Sequence, residues 1–394
     1  MDLYAFGFIV SAFANFFLLE ASPNNWAVIV RGWFAVVAPT MAWLMISSFS
    51  ALAFLGLAEV LRRIPSNVWR LSALPLLFAV TELLRSYLFA VMAYAPHGSL
   101  SPNFNWGSLA VPASGTPLVY ATRVVGFFGL TALVVGINVA LYLALMKRQF
   151  IAGSLFITAT VALSVIGKAT IPAPSAAVQN LKIITKHFDE QENAADWTMD
   201  DWPPQRTDLL VLPEYSGLLE NKDYKAILQR LSKNGLAITT VRNGRSPGGT
   251  NRLIFINREG SIVEQQDKTF LIPTGETLPY SLQATFTLIK KQRSIEEFRY
   301  LQQITPGDKH EVPFEYNGIS YGALACSGVS ALNEYSRLTD EGADILINSA
   351  SLSFLKTNSR YHVYADNMAR FQSVSTGKPL VQASRSGNSY VIGL

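Results

Sequence analysis

The chain of 394 residues is 49% hydrophobic but only 15% charged, against roughly 25% charged in an ordinary soluble domain, so part of it is built for lipid. Its formal charge of +4 comes from scattered basic residues with no Lys/Arg patch interleaved with aromatics, so direct nucleic-acid binding is not expected. A single cysteine, Cys326, excludes an internal disulfide and a cysteine-based zinc site, and the four histidines lack metal-ligand spacing; neither a metal nor a cofactor is expected.

In chain order, residues 1–172 read as a transmembrane helical bundle. A span of ~30 Å of hydrocarbon needs roughly 20 apolar residues in helix, and five stretches qualify: about 3–19, 33–58, 71–94, 117–146 and 150–170. The first reads as an anchor, since Asp2 stands where a signal peptide carries its basic residues and no A-x-A site follows. Arg62, Arg63 and Arg70 fall between the second and third stretches and Lys147 and Arg148 between the last two, which predicts those loops to be cytoplasmic. The loop 95–120 holds no Lys or Arg and is expected on the far side, as is everything after about 171; Arg31 is the discordant basic residue. Glu82 and Arg85 lie within the third stretch at i, i+3, where an unpaired charge facing lipid costs ~2.5–3.5 kcal/mol, so they are expected to pair in the interior, an ion pair that a purely structural role explains.

After Ile171-Pro172-Ala173-Pro174 charge becomes frequent, and residues 176–394 read as a single α/β domain. Its β-rich runs, at 181–185, 209–212, 236–241, 253–256, 319–325, 345–347 and 380–383, alternate with polar or helical stretches. The connecting stretch 277–305, with Tyr280, Phe286, Leu288, Ile289 and Phe298, fits either a segment dipping into the membrane to admit a lipid chain or a plain surface loop.

Three segments share one design, an apolar strand that ends in a reactive residue. Asp208-Leu-Leu-Val-Leu-Pro-Glu214 delivers Glu214 at a strand's carboxyl end, where ligands gather in α/β sheets. Asn251-Arg-Leu-Ile-Phe-Ile-Asn, a turn at 258–260 and residues 261–267 form a hairpin leading into Lys268; eight residues on, Pro273 and Gly275 bend the chain so that Glu276 can face that lysine. Tyr321-Gly-Ala-Leu-Ala-Cys326-Ser-Gly runs into the cysteine, with helical character over 329–338. A cysteine at such a turn meets a helix N-terminus that favours thiolate, and the amide of Ser327 is placed to join an oxyanion hole. Taken singly, each segment is also compatible with a surface glutamate, a solvated hairpin end or an inert core cysteine.

Together, and in this order, the Glu, Lys and Cys segments resemble the nitrilase, or carbon-nitrogen hydrolase, superfamily, with Pro-Thr-Gly-Glu at 273–276 matching its Pro-Phe-Gly-Glu. The sequences at 343–348 and 377–388 look like its closing strands. Glu82-Leu-Leu-Arg85 and Arg123-Val-Val-Gly-Phe-Phe-Gly-Leu130 resemble the membrane segments of its apolipoprotein N-acyltransferase branch. The resemblance implies an αββα-sandwich domain behind the membrane bundle, with Cys326 as nucleophile, Glu214 as general base, Lys268 as oxyanion cation and Glu276 in support. It further implies an acyl-cysteine resolved by amine or water, a phospholipid or lipoprotein substrate, and a multi-pass protein of the bacterial inner membrane with its C-terminal half in the periplasm. The sequence departs from that branch where Ser327 and Gly328 replace Tyr and Glu and where 349–353 lacks the Asn-Asp-Ala-Trp-Phe stretch. Residues 181–185 also lack the usual Gln-Gly-Asn, and the chain stops at Leu394 before the branch's final strands and last span. These departures are similar to the branch's conjugal-transfer relatives, which adds conjugation machinery as a partner and, as the alternative, a non-catalytic envelope component.

Overall fold

In a computed structural model of the chain the described residues are 3–22, 32–96, 98, 100–198, 200–202, 206–244, 248–355 and 359–393, which leaves Arg31 outside them. The N-terminal half is helical: α1 (Leu3–Ala14), α2 (Phe17–Glu20), α3 (Trp33–Arg63), α4 (Asn67–Met92), α5 (Ala110–Ser114), α6 (Thr122–Lys147) and α7 (Phe150–Ala169). Four of these, α3, α4, α6 and α7, are long and apolar enough to cross a membrane. The first apolar stretch forms α1, whose 12 residues are fewer than a straight span needs. Its end coincides with Asn15, whose side chain donates to the Ser11 carbonyl at 2.8 Å, the local bonding by which asparagine competes with a continuing helix. α1 then lies along α3, with Phe6 edge-on to Phe54 at 5.8 Å and the Trp43 indole donating to the Ala12 carbonyl at 2.7 Å.

Glu82 and Arg85 are both buried. The Glu82 carboxylate accepts from the Ser108 and Thr131 hydroxyls, each at 2.5 Å, and from the Leu109 amide at 2.8 Å. Three neutral donors thus satisfy this carboxylate, and they fasten the loop before α5 and the middle of α6 to α4. Inside α6, Gly126 adopts φ 71° and ψ −176°, a conformation nearly restricted to glycine, and breaks the helix so that its first turn and its long second part take different directions.

The C-terminal half runs α8 (Ala176–Gln179), β1 (Ile183–Thr185), β2 (Thr207–Val211), α9 (Tyr224–Leu228), β3 (Leu231–Asn243), β4 (Thr250–Asn257), β5 (Ile262–Asp267), α10 (Tyr280–Leu288), α11 (Gln292–Leu301), β6 (Phe314–Tyr316), β7 (Ile319–Ala325), α12 (Glu334–Asp340), β8 (Ile345–Ser351), α13 (Arg360–Thr376), β9 (Leu380–Arg385) and β10 (Tyr390–Ile392). Two five-stranded sheets form, in the orders β1-β2-β3-β4-β5 and β10-β9-β8-β7-β6. In each, three parallel strands are continued by antiparallel ones: β1, β2 and β3 in the first, β7, β8 and β9 in the second.

The sheets pack face to face through alternate side chains such as Leu209, Val211, Ile238 and Phe255 on one and Ala323, Ile345, Ile347 and Val381 on the other. Each fully buried Leu, Val, Ile or Phe contributes ~1.5–3 kcal/mol, so this layer is a main source of stability. The outer face of the first sheet is covered by α9 and short turns around Phe188, Trp197 and Trp202; α12 and α13 cover the second.

The layer of α12 and α13 is shared with the membrane half. Phe371 meets Phe127 of α6 edge-on at 5.0 Å, and one buried cluster joins Ala110, Val111 and Leu130 of the bundle to Leu324, Tyr335, Met368 and Leu380. The Arg123 guanidinium caps the C-terminal carbonyls of α13, donating to Val374 at 3.3 Å and Ser375 at 3.1 Å. The α/β half meets the bundle at the end of α4 and the start of α6, opposite the basic loops at 62–70 and 147–148. The stretch 277–305 becomes α10 and α11, with Phe286 and Phe298 buried against Ala35 of α3 and Tyr280, Leu288 and Ile289 exposed.

Candidate active site

β2 ends at Val211, and Leu212 and Pro213 carry the chain on to Glu214. Its end is tied to both sheets: the Leu212 amide donates to the Ile238 carbonyl at 2.9 Å, Ser349 Oγ donates to the Leu212 carbonyl at 2.8 Å, and the Glu214 amide donates to the Ala350 carbonyl at 3.1 Å. A carboxylate held from two sheets has little freedom, and Glu214 is buried there.

The β4–β5 pairing sets Arg252 against Asp267, so the next residue on β5's side, Lys268, falls opposite Asn251, and its amide donates to the Asn251 carbonyl at 2.8 Å. The bend at 272–276 forms with Thr274 in the left-handed region at φ 67°, a position adjacent to the expected Gly275. It closes through the Glu276 amide to the Ile272 carbonyl at 2.9 Å. Glu276 thereby faces the lysine: Lys268 Nζ donates to both Glu276 oxygens at 2.8 Å and lies 3.8 Å from Glu214 Oε1.

β7 delivers Cys326 in the left-handed region at φ 44°, a strained conformation for a residue with a Cβ, and the chain continues into a 3-10 turn over Cys326–Ser330. The longer helix expected after the cysteine is divided into this turn and α12. Within the turn Ser327 Oγ donates to the Phe270 carbonyl at 2.8 Å. At Gly328 a Cβ would meet the Leu324 Cβ at 2.5 Å, so the turn as built accepts no side chain there.

The structure therefore brings Glu214, Lys268, Glu276 and Cys326 together at strand ends drawn from both sheets, with Ser327 beside them. It adds Asn251, fully buried, whose Nδ2 donates to Glu214 Oε1 at 2.5 Å and lies 3.5 Å from Glu276 Oε1. Sequence reasoning passed over Asn251; the available signal was a polar residue opening a strand whose hairpin partner ends in Lys268.

Burial holds Glu214 above the ordinary carboxylate range; Lys268 pulls it down, Glu276 pushes it further up, and Asn251 and the Cys326 thiol, both hydrogen-bonded to it, favour its charged form. Burial alone would lower the Lys268 ammonium, yet Glu276 and Glu214 outweigh that and raise it, so it stays cationic. Cys326 keeps some exposed surface, but its thiol is poorly solvated and shifted well up, first by that burial and then by the Glu214 charge, with Lys268 opposing. The resting sulfur is a thiol whose single proton is shared between Glu214 and the Ser351 carbonyl, which lies 3.4 Å away. This reverses the thiolate expected from a helix N-terminus, because one 3-10 turn carries too small a dipole to offset burial beside a carboxylate.

Two spaces flank the bend at 272–276. Ile272 lines a narrow pocket with Cys326, Ser327, Leu352, Phe354 and Tyr361. Pro273 and Thr274 line a cavity of about 200 Å³ between the bundle and α10, walled by apolar side chains such as Met41, Met45, Phe89, Trp106 and Phe286. One loop separates the Cys326 thiol from an apolar chamber between the bundle and α10.

A family model for carbon-nitrogen hydrolases matches residues 176–394. Over nearly its whole length the chain is similar to the apolipoprotein N-acyltransferase of Allorhizobium ampelinum, 24% identical over 99% of this chain and 74% of that protein. It is likewise similar to the apolipoprotein N-acyltransferase of Rhizobium rhizogenes, 26% identical over 98% and 74%. Among solved structures, a carbon-nitrogen hydrolase from Helicobacter pylori covers 48% of this chain and 70% of its own at 18% identity and a TM-score of 0.33.

Proposed function

The chain belongs to the carbon-nitrogen hydrolase family, and from that premise we propose that it is a membrane-bound enzyme acting through an acyl-cysteine at Cys326. The observation that carries this reading is the meeting of a buried carboxylate, a buried ammonium and a thiol at strand ends of two sheets. Glu214 takes the Cys326 proton as sulfur bonds to the acyl carbonyl carbon. Lys268, joined by the Ser327 amide, balances the oxyanion; collapse breaks the bond to the leaving alcohol or amine, which takes the proton from Glu214. An incoming amine or water then loses its proton to Glu214, cleaves the thioester and restores the thiol.

The acyl donor we propose is a phospholipid, because the apolar chamber abuts the reactive loop and is walled on one side by the membrane helices α3 and α4. The similar apolipoprotein N-acyltransferases support a lipoprotein amine as acceptor. Basic loops at the end of the bundle away from the α/β half support an inner-membrane protein with its site on the periplasmic side.

A second reading is a non-catalytic envelope component of a conjugation apparatus. It is favoured by the turn after Cys326, where the Ser327 hydroxyl is committed to Phe270 and Gly328 brings no functional group. The test is incubation of detergent-solubilised full chain with a phospholipid bearing an alkyne-tagged acyl chain, followed by mass spectrometry of the Cys326 peptide. An adduct in the wild type, lost in Glu214→Ala and Lys268→Ala, supports the enzyme; an unmodified cysteine in all three supports the scaffold.

A further inference from the structure

The turn that carries Cys326 is held from behind by the membrane half. Asn105, fully buried in the loop between α4 and α5, donates from Nδ2 to the Ser330 carbonyl at 3.3 Å. Asn103 Oδ1 accepts from the Leu332 amide at 3.0 Å. These two contacts satisfy backbone groups at the exit of the 3-10 turn, while Gln372 of α13 donates to the neighbouring Val329 and Ala331 carbonyls, each at 3.0 Å.

The asparagines are themselves fixed. Tyr364 OH donates to Asn105 Oδ1 at 2.9 Å, leaving the amide nitrogen to face Ser330. The Ser108 amide donates to the Asn105 carbonyl at 3.0 Å, and the Ser108 hydroxyl is bound by Glu82 in the bundle. A continuous chain of hydrogen bonds thus runs from an intramembrane carboxylate through Ser108 and Asn105 to the turn that begins at Cys326.

We propose that Asn103 and Asn105 are positioning residues for the Cys326 thiol, so that a loop of the membrane half sets the geometry of a nucleophile belonging to the α/β half. The inference rests on Cys326 being the nucleophile. Cys326 has left-handed backbone, and strained turns persist only where their surroundings over-determine them. Loosening the exit of the turn lets Cys326 relax and swings Sγ away from Glu214. Neither asparagine touches the reacting atoms.

The test uses the full chain in detergent, where Cys326 is the only thiol, and follows the rate of its alkylation by iodoacetamide beside the tagged-lipid assay. Asn105→Ala and Asn103→Ala are expected to slow both reactions at least 10-fold, with melting temperature and phospholipid KM unchanged. Wild-type rates in folded variants, or a lowered melting temperature with unchanged rates, would overturn the proposal. If Asn105→Ala yields no folded protein, Asn103→Ala alone decides it. A wild type that alkylates but never takes up acyl chain defeats the enzymatic reading, while slowed alkylation in the variants still upholds the positioning.

Discussion

Replacing Asn251 by alanine removes a 2.5 Å hydrogen bond to Glu214 from a site where water is scarce. Hydrogen bonds to charged groups contribute ~1.5–3 kcal/mol, so turnover of the tagged lipid should fall roughly 10- to 100-fold while Cys326 remains present and the protein folded. The pH profile is a separate expectation. Glu214 must be ionised to take the thiol proton, and its folded-state pKa is raised, so activity should rise with pH along a limb lying above the usual carboxylate value of ~4.3. Glu276→Gln removes a charge that pushes Glu214 up and frees Lys268 to attract it, so the limb should move to lower pH; a limb that moves up, or stays, contradicts the assignment of Glu214 as base. Glu214 and Cys326 stood out because each follows an apolar strand, and Lys268 because a hairpin leads into it, although the last strand of that hairpin, Ile262–Asp267, is largely polar. Asn251 did not, since its role depends on the β4–β5 register, which no local pattern states.

At the scale of elements, Gly126 is where one apolar helix becomes two directions. Its φ and ψ lie where a Cβ is strained by about 1–3 kcal/mol even though nothing crowds the position, so Gly126→Ala should lower the thermal stability of the detergent-solubilised protein by that amount. The same change should straighten α6 and draw Arg123 off the end of α13. The apolar run 117–146 disclosed a span and hid its break, because glycine is common in membrane helices and its presence alone does not mark a break. The partners of Glu82 were hidden for a related reason. Ser108 and Thr131 lie 26 and 49 residues from Glu82, and a charge pattern at i, i+3 pointed only to Arg85. Strands β6 and β10, three residues each, fall below the length at which alternation can be read, whereas β7 begins and ends where its apolar run does.

For the whole molecule, the expected orientation is open to direct measurement. In a Cys326→Ser background, a cysteine at Lys309 should react with a membrane-impermeant maleimide in intact spheroplasts, and one at Arg148 only in inverted vesicles; the opposite pattern would invert the topology. The α/β half should also fail as a separate product. Residues 176–394 expressed alone would expose Leu332, Met368 and Phe371, which are buried against α5 and α6, and should aggregate or require detergent on size-exclusion chromatography. Composition divides the chain near residue 172 as a change of solvent, yet an apolar face on α13 reads the same whether a sheet or a membrane helix covers it.

That shared core also dictates a sequence of events in time. The ribosome delivers the bundle before the α/β half, so α6, with α5 beside it, is already made when α13 emerges. The last layer of the sandwich then condenses on a surface made in advance, and the Cys326 turn closes only after its two asparagines are in place. Pulse-chase labelling in cells should accordingly find Cys326 slow to react with iodoacetamide in young chains and faster in mature ones. A thiol able to capture acyl groups would thus stay uncoupled from its base until the chain has reached the membrane.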